Sequence, residues 1–121
     1  MNASPGRILI VDDDRIFTRA LGNTLTNSLS GGAGDDTLTG GAGADKLRGS
    51  GGVDTVSYAG SSAVVVNLAA QSVSGGDGAG DALSGFENAA GGDGNDTLIG
   101  DGNANVLSGG DGKDTLVGGD G

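Results

Sequence analysis

The chain is poor in the residues that build conventional active sites and packed cores. It has no cysteine, histidine or tryptophan, and only one proline, one tyrosine and two phenylalanines. Without cysteine there are no disulfides or thiolate metal sites, and without histidine neither an HExxH zinc pair nor a Ser-His-Asp relay can form. Because aromatic residues make up 2% of 121 residues, an ordinary hydrophobic core would be thin, and another source of stability is expected.

Positive charge and long apolar runs are also scarce. Six Lys and Arg residues stand against 16 Asp and Glu residues, a net charge of -10, which disfavours nucleic acid and anionic membrane surfaces and attracts multivalent cations. No run approaches the roughly 20 apolar residues of a membrane span. Residues 8–11, ILIV, are followed at once by three aspartates, where a signal peptide would continue apolar. We therefore expect no nucleic acid partner, no membrane span and no N-terminal export signal.

Glycine is abundant, with 28 residues, and it recurs in nine-residue units with aspartate and leucine. The clearest units are GGAGDDTLT (31–39), GGAGADKLR (40–48), GGDGNDTLI (91–99) and GGDGKDTLV (109–117). Glycines in the first, second and fourth places permit positive φ and turn carbonyl oxygens to one side. The triplet around the eighth-place aliphatic residue predicts a short strand of a parallel stack, about 4.8 Å from its neighbours. The predicted core consists of Leu38, Leu47, Val56, Leu83, Leu98, Leu107 and Leu116.

The repeat defines the organisation of the chain. Degenerate units of the repeat occupy 22–30, 49–57 and 76–84. We therefore divide the chain into an N-terminal piece, 1–21, and a repeat domain, 22–121. Within the repeat domain, the blocks 22–57 and 76–121 flank an insert, 58–75. Within 1–21, an apolar run predicts a strand and Ile16–Leu21 have helical spacing. In the insert, Val64–Val66 favour strands that continue the same stack.

The sixth-place carboxylates predict a metal site. Two units complete one coil, so sixth-place residues two units apart are predicted to lie on the same edge of the roll. The predicted pairs are Asp36 with Asp54, Asp96 with Asp114, and Asn27 with Asp45. Calcium takes six to eight hard oxygen ligands at about 2.3–2.6 Å, and two carboxylates together with turn carbonyls can supply them. The same donors fit the strict octahedral geometry of magnesium poorly. The predicted metal-binding residues are Gly31, Gly32, Gly34, Asp36, Gly40, Gly41, Gly43, Asp45, Asp54, Asp81, Gly91, Gly92, Gly94, Asp96, Asn105, Gly109, Gly110, Gly112 and Asp114.

Some positions leave alternatives open. Asn27 and Asn105 are neutral sixth-place residues, and they fit either weaker ligands or end caps. Third-place Asp93 and Asp111 are expected to face solvent. Without the cation, stacked carboxylates repel, and single aliphatic residues do not offset the conformational entropy of so many glycines. The sequence therefore predicts folding that depends on calcium.

Across residues 22–121 the chain resembles the RTX (haemolysin-type) calcium-binding β-roll family, and 53–101 is similar to the C-terminal roll of serralysin-type secreted proteases. The resemblance implies an all-β, right-handed parallel β-roll (β-solenoid) with calcium in the turns, preceded by a short strand/helix segment. It also implies a secreted, extracellular, non-enzymatic module whose cofactor is Ca²⁺. An alternative is a non-catalytic C-terminal fragment of a secreted protease, lipase or polysaccharide epimerase.

The two ends of the chain suggest further hypotheses. RILIVDDDRIF (7–17) resembles the opening of response-regulator receiver domains, which implies a magnesium site at Asp12 and Asp13. The rest of that family's pattern is missing, so a phosphorelay is the less favoured alternative. At the other end, an open final strand predicts an edge that can template end-to-end self-association.

Overall fold

The computed structural model of the chain describes residues 9–11, 17–19 and 28–120, where regular structure consists of short strands and one 3-10 turn at Gly76–Gly78. Most strands have three residues, and in the complete repeats a glycine turn precedes the x-U-x triplet and limits its length. The described residues contain no helix long and apolar enough to cross a membrane. The strands are β1 Leu9–Val11, β2 Phe17–Arg19, β3 Ser28–Gly32, β4 Thr37–Thr39, β5 Lys46–Ser50, β6 Thr55–Ser57, β7 Val65–Asn67, β8 Ser72–Ser74, β9 Ala82–Ser84, β10 Asn88–Ala90, β11 Thr97–Ile99, β12 Leu107–Ser108 and β13 Thr115–Val117.

The strands form three sheets. The first has the order β1-β3-β5-β9, the second β2-β4-β6-β10-β12, and the third β8-β7-β11-β13. Up to β6 the chain alternates between the first and second sheets, and each strand pairs in parallel with the strand one coil earlier. After β6 the chain enters the third sheet with β7 and β8 and returns to the first sheet with β9. From β10 to β13 it alternates between the second and third sheets, again with parallel pairing. The predicted all-β parallel roll is confirmed.

The eighth-place residues form the core, as predicted, except at the end of the roll. Leu38, Val56 and Leu98 are fully buried and Leu47 is 1% exposed, whereas Leu107 is partly buried. Leu116 is 48% exposed, so its assignment to the core was wrong. Among the described strands β13 pairs only with β11, and therefore no further coil covers it.

The insert differs from a simple continuation of the stack. Strand β7 pairs in parallel with β11 as expected, but β8 folds back and pairs antiparallel with β7. The chain reverses through 68–71, where the backbone N–H of Gln71 donates to the Leu68 carbonyl oxygen at 3.2 Å. Buried Tyr58 and Phe86 are the largest core side chains in the described residues. The middle of the roll thus has the conventional packing that the repeats lack.

The N-terminal piece contributes the first strand of each of two sheets. Strand β1 pairs with β3, which agrees with the strand predicted there. The helix predicted over 16–21 was wrong at 17–19, which form β2 paired with β4, because a ladder of sheet hydrogen bonds outweighs a short helical periodicity. Asp12, Asp13 and Asn27 lie outside the described residues, and the division at residue 21 stays a prediction.

Candidate metal centre

The acidic turns lie above one another in three groups, which strand register defines. The first turn stack precedes β4, β6, β10 and β12, the second precedes β5 and β9, and the third precedes β7, β11 and β13. The residue just before each strand triplet takes the sixth place of the turn. In the first stack these residues are Asp36, Asp54, Glu87 and Asn105; in the second, Asp45 and Asp81; in the third, Val64, Asp96 and Asp114.

One hydrogen bond repeats through all three stacks. The backbone N–H of a sixth-place residue donates to the carboxylate of the sixth-place residue one coil further on. The donor to acceptor distances are 2.9 Å for Asp36 to Asp54, 2.7 Å for Asp45 to Asp81, 2.9 Å for Asp54 to Glu87, 2.9 Å for Val64 to Asp96 and 2.8 Å for Asp96 to Asp114. The structure thus brings together Asp36 with Asp54 and Asp96 with Asp114, as the spacing predicts.

The other carboxylate oxygen lies over the first glycine of the same turn. A Cβ on Gly31 would lie 2.5 Å from Asp36 Oδ2, and a Cβ on Gly40, Gly91 or Gly109 would overlap the corresponding oxygen of its own turn. In one turn this oxygen also accepts a hydrogen bond, from the Gly92 amide to Asp96 Oδ2 at 2.9 Å. Glycine in the first place is therefore required by the close approach of the carboxylate.

The remaining predicted glycines shape the turn. The fourth-place residues Gly34, Gly43, Gly94 and Gly112 have φ between 95° and 113°, and the second-place residues Gly32, Gly41 and Gly110 have φ between 85° and 88°. These left-handed angles favour glycine. The positive φ predicted for the first place was wrong, because the first-place glycines are required by the close carboxylate instead, and it was also wrong at second-place Gly92. A Cβ on Gly112 would overlap the carbonyl oxygen of Gly94 in the turn below. The turns stack backbone to backbone, which places carbonyl oxygens beside the carboxylates.

The Asp54 carboxylate has the features of a cation ligand. Its side chain is fully buried; Oδ1 accepts the Asp36 N–H, while Oδ2 has no hydrogen-bond partner among the described residues. Burial raises the pKa of Asp54, and the neighbouring carboxylates of Glu87, Asp36 and Asp35 raise it further, against the lowering effect of the Asp36 N–H. A buried carboxylate among like charges is costly unless a cation neutralises it, and an all-oxygen environment suits Ca²⁺.

Asp81 is held differently from the other carboxylates. It accepts the Asp45 N–H through Oδ1 and the Tyr58 hydroxyl through Oδ2, the latter at 2.8 Å. Burial raises the pKa of Asp81 to about 6, although both hydrogen bonds oppose the rise. Burial also raises the pKa of Tyr58, with Asp81 adding to the effect. Both oxygens of Asp81 are thus oriented by protein donors.

Two of the stacks have a neutral residue at one end: Asn105 ends the first stack and Val64 begins the third. Asn105 accepts the Asp101 N–H through Oδ1 at 2.8 Å and donates from Nδ2 to the Glu87 carbonyl oxygen. This is the geometry of an end cap, one of the two alternatives for Asn105, although a ligand role stays a prediction. In the third stack, Val64 takes the sixth place without any side-chain oxygen. The described residues contain no group of three or more acidic side chains that could hold a metal by themselves, so turn carbonyls must complete any site.

Sequence reasoning missed Glu87. The segment GFENAA (85–90) lacks the glycine spacing, but strand register pairs Asn88 with Thr55 and Ala89 with Val56, which places Glu87 beside Asp54. The available signal was the order Glu87, Asn88, Ala89, which reproduces the sixth to eighth places with glutamate and alanine as substitutes. The third-place residues Asp93 and Asp111 are exposed, which confirms the prediction that they face solvent.

Together, the short parallel strands and the glycine turns with stacked carboxylates define a metal-binding class of parallel β-solenoid. Residues 21–56 and 90–121 match the family described as RTX calcium-binding nonapeptide repeat, in four copies. The match covers more than half of the 121 residues, and the chain belongs to this family, whose repeats bind Ca²⁺. Neither the curated proteins nor the solved structures gave a match. RTX repeat modules are typically non-catalytic, and proteins that carry them are typically secreted.

Proposed function

We propose that the three turn stacks hold Ca²⁺ between successive coils, and that this binding allows the roll to fold. Calcium binding is the property of the repeat family; the assignment to particular residues is our proposal. The paired carboxylates are Asp36 with Asp54, Asp45 with Asp81, and Asp96 with Asp114, and carbonyl oxygens of the glycine turns supply the other donors.

The unpartnered oxygen of Asp54 is the observation that carries this proposal. A fully buried carboxylate oxygen without a hydrogen-bond donor, on a side chain that the charges of Glu87, Asp36 and Asp35 repel, would oppose folding by several kcal/mol if nothing neutralised it. A bound divalent cation turns the same arrangement into a source of stability, because it replaces repulsion between coils by shared coordination.

The energy required from each site is modest. For a dissociation constant of about 10⁻⁴ M, millimolar calcium stabilises the folded chain by about 1.4 kcal/mol per site. A few such sites add up to a substantial part of the 5–15 kcal/mol by which domains are usually stable. Several weak sites acting together can therefore decide whether this glycine-rich chain is folded.

A calcium-dependent fold suits a protein that acts outside the cell, where calcium is abundant. We propose that this chain is a secreted, non-enzymatic module and, where it belongs to a larger secreted enzyme, that it provides the folding unit and not the chemistry. Hydrolysis of peptide, lipid or polysaccharide substrates by the purified chain would contradict the non-enzymatic assignment.

The residue assignments are tested by calorimetric calcium titration of matched variants from one turn. Asp114→Asn removes a sixth-place charge but keeps an oxygen to accept the Asp96 N–H, whereas Asp111→Asn removes an exposed third-place charge. We expect Asp114→Asn to weaken one class of calcium sites about tenfold or more, and Asp111→Asn to leave affinity nearly unchanged, with little binding of Mg²⁺ in either case. Equal affinities in the two variants would contradict the assignment.

A further inference from the structure

The coil that contains Glu87 lies outside the residues that match the repeat family, which end at 56 and resume at 90. It nevertheless occupies the next level of the first turn stack, between the turn at 49–54 and the turn at 100–105. Strand β10 pairs with β6 on one side and with β12 on the other. Ala89 takes the eighth place and is 2% exposed. By position, 85–90 is therefore a shortened coil of the same roll.

Glu87 makes the contact that aspartate makes in a full repeat. Its Oε2 accepts the Asp54 N–H at 2.9 Å, just as Asp54 Oδ1 accepts the Asp36 N–H at 2.9 Å. Only Phe86 separates Gly85 from Glu87, whereas four residues separate the first and sixth places of a complete turn. The longer side chain of glutamate thus reaches the same backbone position from a shorter turn.

The oxygens around this coil repeat the arrangement of a matched turn. In the family-matched turn at 91–96, Asp96 Oδ2 and the Gly109 carbonyl oxygen both lie within 2.6 Å of the position that a Cβ on Gly91 would take. At the coil in question, Asp54 Oδ2 and the Gly85 carbonyl oxygen both lie within 2.6 Å of the corresponding position on Gly49. Gly85 therefore presents its carbonyl as the first glycine of the next repeat does.

One of these oxygens lacks a partner. Asp54 is fully buried and its Oδ2 receives no hydrogen bond in the described part of the chain. Glu87 brings a second carboxylate to the same turn, through its contact with the Asp54 backbone. A buried oxygen of this kind next to another carboxylate and a carbonyl forms a set of hard donors for a divalent cation.

We propose that Glu87 is a calcium ligand and that a calcium site lies between the turns at 49–54 and 85–87, with donors from Asp54, Glu87 and the Gly85 carbonyl. This inference rests on the proposed calcium-binding function of the stacks. It extends that function across the interruption of the repeat, so that the first turn stack binds metal continuously from Asp36 to Glu87 and ends at the Asn105 amide.

Glu87→Gln in the full chain tests the site, because glutamine keeps an oxygen to accept the Asp54 N–H and loses only the charge. Asp93→Asn is the control, since Asp93 is an exposed third-place residue outside the carboxylate ladder. In calorimetric titration with CaCl₂, we expect Glu87→Gln to bind one Ca²⁺ fewer than the wild type, or to bind one ion at least tenfold more weakly. We expect Asp93→Asn to match the wild type.

The outcomes separate the two proposals. A wild type that binds no calcium overturns the proposed function itself, whereas a wild type and a Glu87→Gln variant with the same number and affinity of sites overturn only this inference. If the Glu87→Gln variant stays unfolded at about 10 mM Ca²⁺, the Glu87→Asp variant is titrated instead. That variant keeps the charge on a shorter side chain, so we expect one site weakened about tenfold, and unchanged affinities would overturn the inference.

Discussion

At the scale of single residues, Asp54, Asp96 and Asp114 each divide their two carboxylate oxygens between two tasks. One oxygen accepts a backbone N–H from the previous coil, and the other lies over the first glycine of its own turn. The same residue therefore sets the stacking of coils and offers an oxygen toward the interior of the turn. This dual role explains why aspartate, with its short and rigid side chain, keeps strict phase with glycine.

The adjacent glycines Gly51 and Gly52 provide a matched test of the turn backbone. Gly52 has φ of 109° and a Cβ there would overlap the Gly34 carbonyl, whereas a Cβ on Gly51 would meet nothing within 4 Å. In calcium-saturated protein we expect Gly52→Ala to lower the free energy of unfolding by about 2 kcal/mol or more. Gly51→Ala should stay within about 0.5 kcal/mol of the wild type. Similar melting curves for the two variants in thermal denaturation would contradict the stacked-turn geometry.

The buried carboxylates also predict how the metal-free chain responds to pH. Burial raises the pKa of Asp81 from 3.8 to about 6 and raises that of Asp54. Between pH 3.8 and about 6, Asp81 binds more protons in the folded chain than in the unfolded chain. The stability contributed by such a group is fully present at low pH and is lost as the pH rises through about 6, and the raised pKa of Asp54 acts in the same direction. We expect acid to replace calcium in part, and metal-free protein to gain β-sheet circular dichroism as the pH falls from above 6 to about 4. A gain of structure in the opposite direction would contradict this account.

At the scale of strands, the contribution of an eighth-place residue to the free energy of unfolding depends on whether another coil covers it. Leu98 on β11 is fully buried between β7 and β13, whereas Leu116 on β13 is 48% exposed. In calcium-saturated protein we expect Leu98→Ala to lower the free energy of unfolding by about 2–5 kcal/mol, and Leu116→Ala by less than about 1 kcal/mol. Chemical denaturation of the two variants measures the difference. Equal losses of unfolding free energy would contradict this account. They would show that Leu116 is buried in solution, for example by end-to-end association of chains.

The repeat predicted the strands and most of the buried positions because glycine, aspartate and leucine are locked in phase over many units. It did not predict Glu87, since the shortened turn at 85–87 breaks the spacing while strand pairing restores the register. It also predicted a helix where β2 pairs with β4, because a short apolar periodicity carries no information about a partner strand formed later in the chain. Local pattern thus determined the regular coils, and tertiary pairing determined the exceptions.

At the scale of the whole molecule, a net charge of -10 lies on a roll whose carboxylates are stacked one coil apart. In the part of the chain whose burial is described, the large aromatic core residues Tyr58 and Phe86 lie in the middle of the roll, beside the insert strands. The blocks on either side contribute mostly one aliphatic residue per strand. Their cohesion therefore depends on neutralising the carboxylates, and the central claim is that calcium binding and folding of the roll are one event.

The most direct test is far-ultraviolet circular dichroism of the wild-type chain at neutral pH, first in excess chelator and then with rising calcium. The account predicts a largely disordered chain in chelator, a cooperative gain of β-sheet signal at about millimolar Ca²⁺, and little gain at the same concentration of Mg²⁺. A chain that shows its full β-sheet signal in chelator, with a melting temperature that added calcium does not change, would contradict it.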